Sequence, residues 1–183
     1  MNRCNWYQID SSLLLQEYHD HHWCIPIYDD YKLFELLSLE ILSIGLSWLI
    51  ILKKREQLNF HFDNFDYYKI SKYTNDDIER LLQCKDIIRH KKKIESIINN
   101  AKAYINIISE FNSFSNYIWS FTNNMVVYRK DDNIVNKNDI SDLISKDLKR
   151  RGFKFLGSII IYSYLEAIGI FNNHISTCFK YNN

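Results

Sequence analysis

Glu40 is the residue this sequence leaves least explained. It lies near the middle of residues 33–55, LFELLSLEILSIGLSWLIILKKR, among Leu37, Leu39, Ile41, Leu42 and Ile44, in a stretch that stays almost wholly apolar until Lys53, Lys54 and Arg55. A carboxylate buried there must be paired, hydrogen-bonded or held protonated, because burying a lone anion costs several kcal/mol. Trp48 follows two helical turns later. In one continuous helix, positions 40, 44 and 48 would share a face, but Gly45 and the Leu46-Ser47-Trp48 triplet predict a break between two helices. Either arrangement lets a carboxylate and an indole approach one pocket. Trp6, Tyr18 and Trp23 add aromatic surface from the first part of the chain. Planar rings of this kind stack an extruded nucleobase, and a carboxylate accepts from an exocyclic amine on its edge. Ordinary core packing is the plain alternative for each ring.

A second set of residues is rich in soft metal ligands. Cys4, His19, His21, His22 and Cys24 lie towards one end, His174 and Cys178 towards the other. His174 and Cys178 are four apart, a spacing that brings two side chains to one side of a helix or tight turn, and structural zinc takes four N or S ligands in a tetrahedron. One ligand pair from each end would staple the ends together. Buried free cysteines and surface histidines at helix ends are the competing reading.

The third set is basic. IERLLQCKDIIRHKKKIESIINNAKAY reads as a helix, a short turn and a second helix, with Arg89, His90, Lys91, Lys92 and Lys93 at the junction. In a helix-hairpin-helix, turn N–H groups and the following helix N-terminus receive a DNA phosphate while Lys and Arg neutralise its neighbours. Such a contact is independent of base sequence. This turn has no glycine to let the backbone close on a phosphate, and a solvated basic helix start would look the same.

These groups need helices to position them. Ser11 or Ser12 caps a helix through Leu13, Leu14 and Tyr18 that ends before Pro26, placing the histidines near a helix end, and Asp29 or Asp30 opens the central stretch. Residues 57–71 read as a loop with a short helix at 66–71, and Asn75 as the cap of a helix stopping near Lys85. Ile94, Ile97, Ile98, Ala101, Tyr104, Ile105 and Ile108 recur with period 3.6, an amphipathic helix from Lys91. A short helix at 114–121 follows, then a polar loop with a weak strand at 125–128. Asp139 or Ser141 caps a helix ended by Gly152, and an apolar helix covers 155–168 before Gly169. Residues 1–9, with Arg3, Cys4, Trp6 and Tyr7, are too polar and aromatic for a loose tail.

With 4 Gly and 1 Pro against 13 Tyr and 11 Phe, and no regular alternation, the class is all-α. The 183 residues suit one domain with one core, and a net charge of +1 neither demands nor excludes nucleic acid. The cysteines show no close pairing and no basic-then-apolar leader opens the chain, so a reducing cytoplasm is expected. Residues 33–55 are long enough to span a bilayer at roughly 20 residues. Glu35 and Glu40 would each cost about 3 kcal/mol there with no second span to shield them, so no membrane role is expected.

Taken in order, RCNW, YHD followed by Trp and Pro, LEILSIGLSW, LKKRE, IIRHKKKI, WSF, SKDLKRRGFKFLG and NHISTC resemble the DNA-3-methyladenine glycosylase I family over nearly the whole chain. The resemblance implies a helix-hairpin-helix DNA glycosylase, one domain over residues 1–183. One structural zinc ion would join terminal segments at about 1–29 and 160–183, with the hairpin region at about 75–105. It further implies a monofunctional, monomeric enzyme of the bacterial cytoplasm and nucleoid that hydrolyses the N-glycosidic bond of N3-methyladenine in alkylated double-stranded DNA. The zinc ligands carry over to Cys4, His19, His174 and Cys178. Glu40 matches the base-recognising glutamate, Trp48 the stacking tryptophan, Tyr18 and Trp6 the aromatic positions around the lesion, and Trp23 a further pocket-side tryptophan. As in the family, no catalytic aspartate follows the hairpin, where this chain reads Asn112, Ser113 and Phe114.

The chain also departs from the family pattern. Ile41, Leu42, Ser43 and Ile44 stand where the family has Gly, a polar residue, Gln and Ala, which points to a narrower or less polar pocket. Asp86 and Lys92 replace the two hairpin glycines, and His22 and Cys24 replace Glu and Gly, with Cys24 a competing thiol for zinc. These departures motivate the alternative of a catalytically impaired, zinc-stapled DNA-binding module of the same fold. A third reading is a small structural zinc protein whose basic turn is merely solvated.

Overall fold

The computed structural model describes residues 2–6, 9–129 and 131–181; Tyr7 lies outside them. In chain order its helices are α1 (Leu13–His21), α2 (Asp30–Ser43), α3 (Trp48–His61), α4 (Tyr67–Ile70), α5 (Asn75–Gln83), α6 (Lys91–Phe111), α7 (Phe114–Ser120), α8 (Asp139–Arg150) and α9 (Ser158–Ala167). Two-residue strands β1 (Val127–Tyr128) and β2 (Phe171–Asn172) pair in parallel, Val127 with Phe171 and Tyr128 with Asn172. The protein is thus mostly helical, and this short ladder qualifies the all-α expectation.

The apolar stretch folds as two helices. Asp29 caps α2, its carboxylate accepting from Lys32 N at 2.8 Å, and the chain turns at Gly45, whose φ of +78° suits glycine best. α2 packs against α3, α6, α7 and α9, so Leu33, Phe34, Leu37, Leu39 and Leu42 are fully buried. A helix enclosed on several sides is apolar nearly all round, which is why this run imitates a membrane span. Among the described residues no helix is long and apolar enough to cross a membrane.

Several boundaries differ from expectation. Residues 57–61 continue α3 instead of looping. Thr74, not Asn75, is the N-cap of α5, with the Asp77 carboxylate accepting from Thr74 N at 2.9 Å. Asn138 caps α8 and Ser141 reciprocates, the two exchanging 2.9 Å hydrogen bonds. α9 starts at Ser158 because Phe155 takes φ +62° and the chain enters the helix only after Gly157. Ser12 caps α1 as expected.

The two ends of the chain are knitted together beside α9. Cys24 N donates to Glu166 O and Ile27 N to Ile168 O, both at 3.0 Å. Gly169, at φ +74°, lies so close to the Ile25–Pro26 peptide that a Cβ would fall 2.2 Å from the Ile25 carbonyl carbon. A side chain there would push the two segments apart.

Candidate active site and metal cluster

A cavity of about 1070 Å³ opens between the N-terminal segment, the α2–α3 corner and α9. Trp6, Tyr18, Trp23, Glu40 and Trp48, which the sequence singled out, all line it. Trp6 and Trp23 meet edge to face with centroids 4.6 Å apart, and Tyr18 lies 5.3 Å from Trp48 at a tilt of 51°. These rings, with Cys4, Cys24 and Cys178, form a second apolar cluster that meets the main core at Trp48. Trp48 Nε1 is the one buried side-chain polar atom without a hydrogen-bond partner among the described residues. An unpaired buried donor costs about 1–3 kcal/mol, so its survival beside a cavity suits a group that a ligand satisfies.

Glu40 sits on the inner face of α2, 6% exposed, with no basic side chain among the described residues pairing with it. Burial, and then the like charge of Glu166, push its carboxyl up to about 8, against a smaller opposing pull from the Ser43 hydroxyl. Ser43 lines the cavity, but Ile41 and Leu42 turn into the main core. The bulk beside Glu40 in the sequence therefore goes into packing and does not narrow the pocket.

Cys4, His19, His174 and Cys178 are all buried and converge, their ligand atoms lying within 4.8 Å of one another. Sγ–N separations are 3.5 Å for Cys4–His174, Cys178–His174 and Cys178–His19. A zinc tetrahedron with bonds of about 2.3 Å to sulfur and about 2.0 Å to nitrogen has S–N edges of about 3.5 Å, so the quartet fits such an ion. The surroundings fit too. His19 Nδ1 meets Asp20 at 2.8 Å, both Asp20 carboxylate oxygens accept from Arg3 Nε and Oδ2 also from Nη2, and Lys180 N donates to the Cys178 sulfur at 3.4 Å. Burial raises the Cys4 thiol to about 12 and, with the neighbouring charges of His19 and Lys180, lowers His174 to about 4. Cys24 is not a member: at φ +61° its sulfur accepts from Asn173 N at 3.4 Å instead. A left-handed conformation at position 24 also gives a reason for glycine in the family pattern.

At the α5–α6 junction Arg89, His90, Lys91 and Lys92 are exposed, and the His90 ring accepts from Lys93 N as the cap of α6. Among the described residues of the turn none has positive φ, so Asp86 strains nothing. Lys93 departs from its expected place. It is 5% exposed and its ammonium donates to Leu42 O at 2.9 Å and Ile44 O at 2.6 Å, closing the C-terminus of α2. Lys54 likewise braces the turn through Asp86 O at 2.8 Å.

Sequence reasoning missed two residues here. Glu166 lies on α9 and lines the cavity with Glu40; a lone acid in SIIIYSYLEAIG is the same signal that marked Glu40. Leu46, 39% exposed at the α2–α3 corner, lines both the cavity and the groove beside Lys54, Lys85 and Arg89. An exposed leucine after a glycine carries no sequence signal of its own.

The family model for methyladenine glycosylase matches residues 6–181. DNA-3-methyladenine glycosylase 1 of Escherichia coli (strain K12) is 41% identical over 99% of this chain and 97% of its own length. A crystal structure of 3-methyladenine DNA glycosylase I superposes with a TM-score of 0.93 at 40% identity, covering 98% of this chain and 100% of that one. The Staphylococcus aureus enzyme, solved to show the structural basis of 3-methyladenine recognition, gives 0.88 at 39% identity over 91% and 90%. With the aromatic pocket, the buried glutamate and the Cys/His cluster in place, this chain belongs to the methyladenine glycosylase family.

Proposed function

We infer that the chain is a monofunctional DNA glycosylase that hydrolyses the bond between N3-methyladenine and deoxyribose in alkylated DNA. The observation that carries this is Glu40: a buried carboxylate with no cation paired to it among the described residues, on a cavity that Trp6, Tyr18, Trp23 and Trp48 also line. Methylation at N3 makes the adenine cationic, so the lesion itself supplies the missing positive charge. Glu40 accepts from the edge of the flipped base, Trp48 stacks on its face, and Tyr18, Trp6 and Trp23 wall the pocket around it. The cationic base leaves with the electron pair of the glycosidic bond as neutral 3-methyladenine, and water adds to the sugar carbon and releases a proton. The base needs no protonation, which agrees with Asn112 and Ser113 standing after α6, Ser113 being occupied as the N-cap of α7.

Cys4, His19, His174 and Cys178 would hold one structural zinc ion that fixes Trp6 and Trp23 by joining the segments that carry them; it takes no part in the chemistry. Arg89, His90, Lys91 and Lys92, with the N-terminus of α6, take the phosphates of the damaged strand, and Lys93 serves them from inside by holding α2 to α6. Leu46 is placed to fill the gap left by the flipped nucleotide. The protein acts as a monomer on double-stranded DNA. The impaired-module alternative is not favoured: of the residues 41–44 and 86 that motivated it, Ile41 and Leu42 face the core, Ser43 keeps a polar group on the cavity, and Asp86 takes no strained backbone conformation.

The test is release of free base from methylated DNA by the purified protein beside Glu40→Gln. Release of 3-methyladenine, reduced at least about 100-fold in the variant, is expected for loss of a buried charged contact. No release by folded, metal-loaded wild type overturns the reading.

A further inference from the structure

Glu40 is one of two acids on the cavity, the other, Glu166, being half-buried. Glu166, from α9, lines the same space and is the foremost charge acting on Glu40, with the same sign. Its Oε1 accepts from Asn173 Nδ2 at 2.7 Å, and that amide also donates to Tyr162 OH at 2.8 Å. The side chain is therefore held in place by neutral groups. The Arg129 guanidinium, whose charge reaches Glu166, is tied to the carbonyls of Asn173, Asp131 and Asn133 and pairs with Asp132 instead. Burial first of all raises the Glu166 carboxyl to about 7. Two acids on one cavity without a protein cation between them are an arrangement in which neither ionises readily until a cation arrives.

We propose that Glu166 is a second recognition carboxylate of the base pocket, paired with Glu40 across the cavity, and that it sets the preference for a cationic purine over a neutral one. This rests on the reading of Glu40 as the base-binding acid. A cation entering the pocket draws both acids into their charged form and is held by both at once, whereas a neutral adenine of the same shape leaves them protonated and gains no such attraction. The charge sits on the base in the bound lesion and moves towards the sugar as the bond breaks. Negative charge at the base edge therefore favours capture more than cleavage.

The experiment compares wild type, Glu166→Gln and Glu40→Gln on two substrates: duplex carrying 3-methyladenine, for KM and kcat, and duplex carrying the neutral isostere 3-deaza-3-methyladenine, for Kd. Melting temperatures confirm folding. For Glu166→Gln we expect KM for the cationic lesion to rise about three- to tenfold, kcat to change much less, and Kd for the neutral duplex to move less than twofold. Equal weakening of both duplexes would reduce Glu166 to a structural prop, and no change in either would remove it from recognition; each overturns the proposal. An unaffected Glu40→Gln enzyme would instead overturn the pocket reading itself, whatever Glu166→Gln does.

Discussion

Glu35 and Glu40 lie five residues apart on α2, are almost equally buried, and have opposite fates. Glu35 meets Lys32 Nζ at 2.6 Å and Arg55 Nε at 2.7 Å. Burial raises its carboxyl, but the hydrogen bonds and charges of Arg55 and Lys32 outweigh this and hold it below the usual carboxylate range. Glu40 has no such partner and is pushed up to about 8. The first acid is completed by the fold. The second has no such partner among the described residues, and the fold bears the cost of burying it. Residue type and burial are alike in the two, so the position of the neighbouring cations alone separates an ion-paired acid from an unpaired one on the cavity.

The largest expected break in this contrast comes from pH. For Glu40 the folded pKa, about 8, lies above the ordinary 4.5, so the folded chain binds the extra proton between these values. Its contribution to stability is full below about pH 4.5 and is lost as pH rises through 8. Glu35 has the opposite sign: its contribution is present above the ordinary carboxylate range and is lost as pH falls. Glu40→Gln should therefore stabilise the protein by roughly 2–4 kcal/mol at pH 9 and by little at pH 5, while it impairs catalysis. Denaturant unfolding at the two pH values checks this, and a variant no more stable at pH 9 would mean that Glu40 has a partner in solution. Glu35→Gln should do the reverse, costing about 2–3 kcal/mol at pH 7 by leaving Arg55 unpaired, with the rate per folded molecule unchanged.

Glu40 was legible because an acid in an apolar run contradicts its surroundings, and the terminal cysteines and histidines because four N and S donors near the two ends of one chain form a set a single metal ion would take; the aromatic residues were legible only as a group, since each alone reads as core packing. The helices followed from period and punctuation, apart from caps where two adjacent polar residues competed, as at Thr74 and Asn75. What stayed hidden was direction. Whether Ile41 and Leu42 narrowed the pocket depended on which side of α2 they occupied, and that is set by packing against α6, α7 and α9. Lys93 shows the same limit: in a row of basic residues nothing local distinguishes the one that turns inward.

The basic residues at the start of α6 repeat the contrast with the sign reversed. Lys93 is spent on the carbonyls of Leu42 and Ile44, while Lys92 is exposed. Lys93→Met should cost about 1–2 kcal/mol of stability, because two carbonyls at the end of α2 lose a charged donor. It should also disturb base release, since those carbonyls lie between Glu40 and the turn bearing Leu46.

Lys92→Gln is the smallest change and the sharpest test of the division. A solvated lysine contributes little to the fold, so its melting temperature should stay within about 1 °C of wild type, as surface substitutions usually do. If its charge faces a phosphate, DNA binding should weaken several-fold irrespective of sequence, and the slope of log K against log salt should fall by about one. The matching Lys93→Met variant should leave that slope unchanged, because an ammonium already bonded inside the protein releases no counterion from DNA. A salt slope that falls equally in both variants would show that Lys93 leaves α2 when DNA binds, and that the inward and outward cations are two states of one surface.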